Sequence, residues 1–173
     1  GNREMTSLDG ITWTARTSAA DSAWWGIAYA NSIFVAVAAS LGDVMTSPDG
    51  ITWTSRTQAS SNAWISVAYG NGLFVAVAAN AVMTSPDGIT WTSRTPAASL
   101  DWFGVAFGLG LFVAVAGSGV GNRVMTSPDG ITWTSRVSAA DILWRRVAYG
   151  NGLFAACSET QSGGNTIMTS PDG

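Results

Sequence analysis

Met45-Thr46-Ser47-Pro48-Asp49-Gly50-Ile51-Thr52-Trp53-Thr54-Ser55-Arg56 is the stretch on which the reading of this chain turns. Its first six residues return unchanged at Met83–Gly88, Met125–Gly130 and Met168–Gly173, and once as Met5–Gly10 with Leu8 in place of the proline. After every copy but the last comes Ile-Thr-Trp-Thr-(Ala/Ser)-Arg. The chain is therefore one unit of about 40 residues repeated about four times. The repeats run over about 5–44, 45–82, 83–124 and 125–167, with the start of a further one at 168–173, and together they make a single repeat domain.

Within a unit the apolar residues alternate with period two, the period of strands. In the second unit Trp64–Tyr69 reads as a strand, followed by the hairpin signal Gly70-Asn71-Gly72. Leu73–Ala78 is a second strand and Ala81–Ser85 a third. Ser85-Pro86-Asp87-Gly88 then makes a tight turn. Proline presets its second position, aspartate bonds locally and glycine supplies a positive φ. Ile89–Arg94 is the fourth strand. Four short antiparallel strands, A to D, in each unit predict an all-β fold, a β-propeller of about four such blades. A β-solenoid is the alternative, although solenoid coils are usually shorter and lack two tight hairpins per repeat.

The spacing of landmarks locates the variation. The strand-D tryptophan precedes the strand-A tryptophan by 11 residues in every unit, at Trp13–Trp24, Trp53–Trp64, Trp91–Trp102 and Trp133–Trp144. From the strand-A tryptophan to the strand-B phenylalanine is always 10. Only the B-to-C connection changes length, from 9 residues at Phe74–Met83 to 14 at Phe154–Met168. The D-to-A connections at 18–23, 58–63, 96–101 and 138–143 keep their length and change their sequence. In an up-and-down blade B–C and D–A leave from one face and A–B and C–D from the other. Every variable segment is thus expected on one face of the disc, the arrangement of a binding surface on a rigid scaffold.

Ser-Pro-Asp-Gly-Ile-Thr-Trp resembles the Asp-box of sialidase-type (BNR-like) β-propellers, whose pattern is Ser-x-Asp-x-Gly-x-Thr-Trp. This chain is one residue shorter between the aspartate and the Thr-Trp pair. The resemblance runs through every repeat and implies a hairpin joining strands C and D, where the strand reading also places it. Catalysis in that family uses three arginines from non-equivalent positions, a tyrosine–glutamate pair and an aspartate acid. Here Arg16, Arg56, Arg94 and Arg136 are four copies of one blade position, and the only glutamates are Glu4 and Glu159. The resemblance therefore implies a non-catalytic relative, and no catalytic residue is assigned.

Composition narrows the function classes further. The 173 residues are 47% hydrophobic and 11% charged, which excludes a disordered chain. A net charge of -3 supplies no basic field for nucleic acid. All eight cations are arginines, and histidine, the commonest metal ligand and general base, is absent. No apolar run is long enough for a membrane-spanning helix. The single cysteine, Cys157, aligns with Val37, Val77 and Val115 and is expected to be a small buried hydrophobe.

Asp9, Asp49, Asp87, Asp129 and Asp172 each stand alone in their turn, so they read as structural carboxylates that satisfy turn N–H groups. No metal site and no cofactor is implied. The eight repeated tryptophans read as inter-blade packing. Trp25 breaks the pattern, since its counterparts are Ile65, Phe103 and Arg145. Trp25, Phe103, Arg145 and Arg146 are the candidate ligand-binding residues, aromatic platforms and anion-binding groups among loops rich in Asn, Asp, Ser and Gly. The chain begins with a strand C near 3–7 and ends with another near 166–170, two claimants for one slot in a closed four-bladed ring. A longer ring of neighbouring blades, or a homo-oligomer, is expected to resolve that conflict. The function expected is a non-enzymatic module that binds a glycan or a protein surface in an extracellular, cell-surface or virion setting. The alternatives are a self-assembling structural repeat and a sialidase-type glycoside hydrolase.

Overall fold

Alternating apolar side chains and fixed turn residues produce strands throughout the computed structural model, which describes residues 4–40, 42–159 and 166–173. β1 (Glu4–Thr6) and β2 (Thr14–Arg16) pair as the C and D strands of a partial blade. The first full blade is β3 (Trp24–Ala30), β4 (Ile33–Ala38), β5 (Val44–Ser47) and β6 (Thr54–Arg56). The second is β7 (Trp64–Gly70), β8 (Leu73–Ala78), β9 (Ala81–Ser85) and β10 (Thr92–Arg94). The third is β11 (Trp102–Gly108), β12 (Leu111–Ala116), β13 (Val124–Ser127) and β14 (Thr134–Arg136). The last is three-stranded, β15 (Trp144–Gly150), β16 (Leu153–Ser158) and β17 (Ile167–Ser170). Every pairing is antiparallel and joins neighbours in the chain, which is the meander of a propeller blade and not the coil of a solenoid. Each sheet takes its A and B strands from one sequence repeat and its C and D strands from the next.

The hairpin turns follow from backbone chemistry. Asn71 and Gly72 both have positive φ, 47° and 79°, the type I′ geometry whose twist matches that of the flanking strands. Strand D is shorter than the sequence reading, beginning at Thr92 and not at Ile89 in the second blade. The reason is the Asp87 carboxylate, which accepts from the N–H groups of Ile89 and Thr90 at 2.8 Å and holds both residues in the turn. The indole N–H of Trp91 donates to the Gly88 carbonyl at 3.1 Å, so this tryptophan too belongs to the turn and not to the strand.

The core lies between blades. Val35, Val37 and Val44 of the first blade meet Trp64, Phe74, Met83 and Trp91 of the second. Val75, Val77 and Val82 meet Trp102, Phe112, Met125 and Trp133 in the same way. The third junction repeats the scheme with Val113, Val115 and Val124 against Trp144 and Phe154. Trp64, Trp102 and Trp144 are completely buried, each worth about 3–5 kcal/mol on truncation to alanine. The inner strands pack in chain order, β3 on β7, β7 on β11 and β11 on β15, and no comparable interface joins β15 back to β3.

The arc is therefore open, and its ends account for two departures from the sequence reading. Trp13 is 52% exposed, because the partial blade β1–β2 has no inner strands for it to pack with. Cys157, expected to be buried, is exposed as a free thiol. Its strand is the last blade's β16, and no following blade covers the face on which Val37, Val77 and Val115 are buried elsewhere.

Candidate functional site

The variable loops do converge on one face. In the first blade the Ala39 N–H donates to the Ala23 carbonyl at 2.9 Å, the Ala23 N–H donates to Ser40 Oγ at 2.8 Å, and the Ser22 hydroxyl bonds the Asp43 carboxylate. In the third blade the Gly117 N–H reaches the Asp101 carbonyl at 3.0 Å and the Asp101 N–H reaches Ser118 Oγ at 2.8 Å. These two blades thus tie the B–C loop to the D–A loop before it, and in the second blade the Asn80 N–H donates to the Leu100 carbonyl of the D–A loop after it, at 2.9 Å. Neighbouring blades are joined on the same face by the Arg123 guanidinium, 3.5 Å from the Asp141 carboxylate. On the opposite face the Asn71 amide donates to the carbonyls of Gly110, at 3.3 Å, and Pro128, at 2.7 Å. That bond ties one A–B turn to the A–B and C–D turns of the next blade.

Strand A opens with a β-bulge in every blade. Trp24 pairs with Ala38 and Gly26 with Val37, leaving Trp25 as the extra residue. Ile65, Phe103 and Arg145 are extra in the same way. A bulge turns the side chain of its extra residue out of the strand's alternation. Trp25, Ile65, Phe103 and Arg145 are consequently released from the packing that fixes their neighbours, and this is where the repeats differ most in side-chain chemistry.

Three of the four candidate residues come together. The Arg145 guanidinium lies 3.8 Å from the centroid of the Phe103 ring, a cation–π stack, and its Nε donates to the Glu159 carboxylate. Arg146 Nη1 donates to the carbonyls of Phe103, at 3.2 Å, and Arg145, at 3.1 Å. One face of Phe103 is covered by Gly117, where an added Cβ would fall 2.6 Å from the ring. Chemically this is a pair of guanidiniums at one edge, of which Arg145 already holds a carboxylate, so anion binding is the chemistry it presents. Trp25 lies apart from it, half-exposed at the other end of the arc on the wall of a cavity of about 790 Å³. Sequence reasoning overlooked Glu159. Antiparallel pairing of Trp144 with Ser158 puts Arg145 and Glu159 on opposite sides of that pair, so the register alone gave no signal for their contact.

The repeated aspartates serve the turns. Asp49 Oδ1 accepts from Ile51 and Thr52 at 2.8 Å and from the Ser47 hydroxyl at 2.9 Å, and the same set recurs at Asp9. These donors favour the charged carboxylate. The Thr12 and Ile11 N–H groups pull the Asp9 pKa from 3.8 to about 2. Asp49, Asp87 and Asp129 are lowered too, chiefly by the N–H groups of Thr52, Thr90 and Thr132. At Asp172 the bond from the Ser170 hydroxyl is present at 2.8 Å. The arginines that close strand D are also spoken for. Arg16, Arg56, Arg94 and Arg136 each donate Nε to a strand-C threonine hydroxyl at 2.8–3.0 Å. Among the described residues no group of three or more His, Cys, Asp or Glu side chains is placed to hold a metal ion.

No protein-family model matches this sequence, and no curated protein matches it. Solved structures do resemble it in shape. YCF48 bound to a D1 peptide is 18% identical, with a TM-score of 0.69 over 96% of this chain and 57% of its own. A catalytically inactive virginiamycin B lyase from Staphylococcus aureus with quinupristin is 13% identical, with a TM-score of 0.69 over 92% of this chain and 59% of its own. The computationally designed Ika8 protein is 13% identical, with a TM-score of 0.64 over 89% of this chain and 48% of its own. The chain thus spans about half to three-fifths of the length of these structures, and what it shares with them is the β-propeller fold.

Proposed function

We propose that this chain is a non-enzymatic binding module that recognises a protein surface or a glycan through the face formed by its B–C and D–A loops. One observation carries the reading. The differences between otherwise near-identical repeats, in loop length, loop sequence and bulge residue, fall on this face, while the opposite face repeats the same turns. Phe103, Arg145 and Arg146 form its most distinctive patch, and a peptide or sugar bearing a carboxylate is the ligand chemistry they fit. The peptide in the YCF48 structure lends support, since it belongs to a propeller of similar shape. Display outside the cell or on a virion is the setting proposed.

Pull-down against surface proteins and a glycan array, run in parallel, test the reading. A ligand retained by the parent and lost when the loops 117–123 and 137–143 are replaced by those of the first blade supports it. Blank screens with loop-swapped variants that behave like the parent would refute it. Turnover of a fluorogenic sialoside would instead favour the glycoside hydrolase reading.

A further inference from the structure

The inter-blade junctions in this chain repeat the same pairs, except that Ala30 stands in the strand-A glycine's place at the first. Gly70 and Gly108 lie against the rings of Phe107 and Tyr149 of the next blade, so closely that an added Cβ would fall 2.1 Å from a ring carbon. Gly88 and Gly130 rest on Val35 and Val75 of the blade before, at 2.7 and 2.9 Å from the same construction. Trp91 and Trp133 fill the outer part of the junction, against the preceding blade's valines.

At the two ends of the arc each pair is split. Gly150 has nothing within 4 Å, and Tyr29, the counterpart of Phe107 and Tyr149, is 58% exposed. Gly50 meets no strand-B residue of a preceding blade, and Ala155, at the position of Val35 and Val75, is exposed. A cavity of about 330 Å³ bounded by Val113, Val115, Val124, Phe154 and Met168 occupies the place where Trp91 and Trp133 stand in the earlier junctions. Trp13, which precedes β2, is the member of that tryptophan series left most exposed. The larger cavity, between β1–β2 and β3, is the space that the inner strands of a preceding blade would fill.

We propose that a second copy of this chain docks head to tail on these ends, so that two copies close one ring. β15, β16 and β17 of one copy enter the larger cavity of the other, which seats Tyr29 on Gly150 and Gly50 on Ala155. β2 of the receiving copy lies along β17 as the fourth strand of that sheet and brings Trp13 into the smaller cavity. Arg16 then bonds Thr169 as Arg56 bonds Thr46. β1 yields its place to β17, because both carry Met-Thr-Ser and only β17 supplies an apolar residue, Ile167, where Val44, Val82 and Val124 are buried. The occupant is a second copy and not this chain's own far end for two reasons. β3 and β15 form no interface comparable to those of adjacent inner strands, and the split halves at one end of the arc complement those at the other. Two equivalent heterologous junctions related by a two-fold axis leave no open sheet edge.

The 173-residue chain is examined by light scattering and sedimentation velocity from about 1 to 100 µM, a span that brackets typical self-association constants. The parent is expected at twice its 17.9 kDa. Gly150→Leu should be monomeric with an unchanged circular dichroism spectrum, since that glycine has free space around it in the open chain and a tyrosine ring over it in the junction. Trp13→Ala should weaken self-association by at least about 30-fold, the loss of an interface anchor. A monomeric parent, an indefinite polymer, or a Gly150→Leu variant that still dimerises at the parent's concentration would each overturn the proposal.

Discussion

The glycines of the inner strands offer a test in which one substitution at three equivalent positions should give opposite results. Gly70, Gly108 and Gly150 each end a strand A, and none has the positive φ that would penalise a side chain. Replacing glycine by alanine at such a site gains about 0.4–1 kcal/mol by restricting the unfolded chain. At Gly70 the new methyl would lie 2.1 Å from Phe107 Cγ, and at Gly108 2.1 Å from Tyr149 Cγ. Both rings pack against the strand-B phenylalanines of their own blades, with Phe107 and Phe112 centroids 4.7 Å apart, so a methyl is admitted only by shifting the ring, as at the first junction, where Ala30 takes the glycine's position beside Tyr69. Overpacking of this kind costs about 1–3 kcal/mol, leaving a net loss of about 0.5–2 kcal/mol. For a chain of this size each kcal/mol moves the midpoint by about 2–4 °C, so Gly70→Ala and Gly108→Ala should melt roughly 1–8 °C lower. Gly150→Ala, with no neighbour within 4 Å, should melt about 1–4 °C higher when copies are held apart by dilution. Thermal unfolding followed by circular dichroism at about 1 µM reads all three. Equal shifts in the three variants would refute the account of how adjacent inner strands are seated.

Three further outcomes follow from the same contacts. Ser85→Ala removes a buried hydroxyl that donates to Asp87 at 2.9 Å and accepts from the Gly88 N–H at 2.8 Å, so urea unfolding should show a loss of about 1–3 kcal/mol. The same change at half-buried Ser7 should cost less. Asp9, Asp49, Asp87 and Asp129 have folded pKa values below their unfolded ones, so their contribution is fully present above about pH 5 and is lost as pH falls toward 2. Denaturant midpoints should accordingly be flat from pH 7 to 5 and drop below pH 4, and Asn at Asp87 and Asp129 should flatten the drop. Trp102→Ala should cost about 3–5 kcal/mol, whereas Trp25→Ala should change monomer stability by no more than about 0.5 kcal/mol. A comparable loss at both would mean that Trp25 is packed and not presented.

Most of the fold was legible because turns and strand spacing are local properties. Ser-Pro-Asp-Gly and Gly-Asn-Gly set two of the three reversals in a blade, and the constant intervals between tryptophan, phenylalanine and methionine set the register. Strand D was misjudged at its start because the Asp87 carboxylate captures two N–H groups that the alternation assigned to the ladder. Cys157 was misjudged for a different reason. Its alignment with Val37, Val77 and Val115 is correct, but burial depends on the following blade, and strand-level patterning carries no information about a neighbour. The candidate site shows the same division. The shared face of the loops follows from topology alone, whereas the stacking of Arg145 on Phe103 crosses blades and needed coordinates.

That stacking also links the binding face to the proposed junction. Neighbouring blades bring their bulge residues together, as the 3.8 Å approach of Arg145 to the Phe103 ring shows. Across a head-to-tail junction the same neighbour relation sets Trp25 of one copy beside Arg145 of the other. An indole that stands apart within the single chain then joins the cationic patch, and the face becomes continuous only when the ring is closed. On this reasoning Trp25→Ala and Gly150→Leu should weaken ligand capture through one shared cause, so the double variant should bind no worse than the weaker single one. Surface plasmon resonance on the retained ligand measures this directly. Strictly additive losses would show that Trp25 and ring closure act independently and would overturn the shared cause.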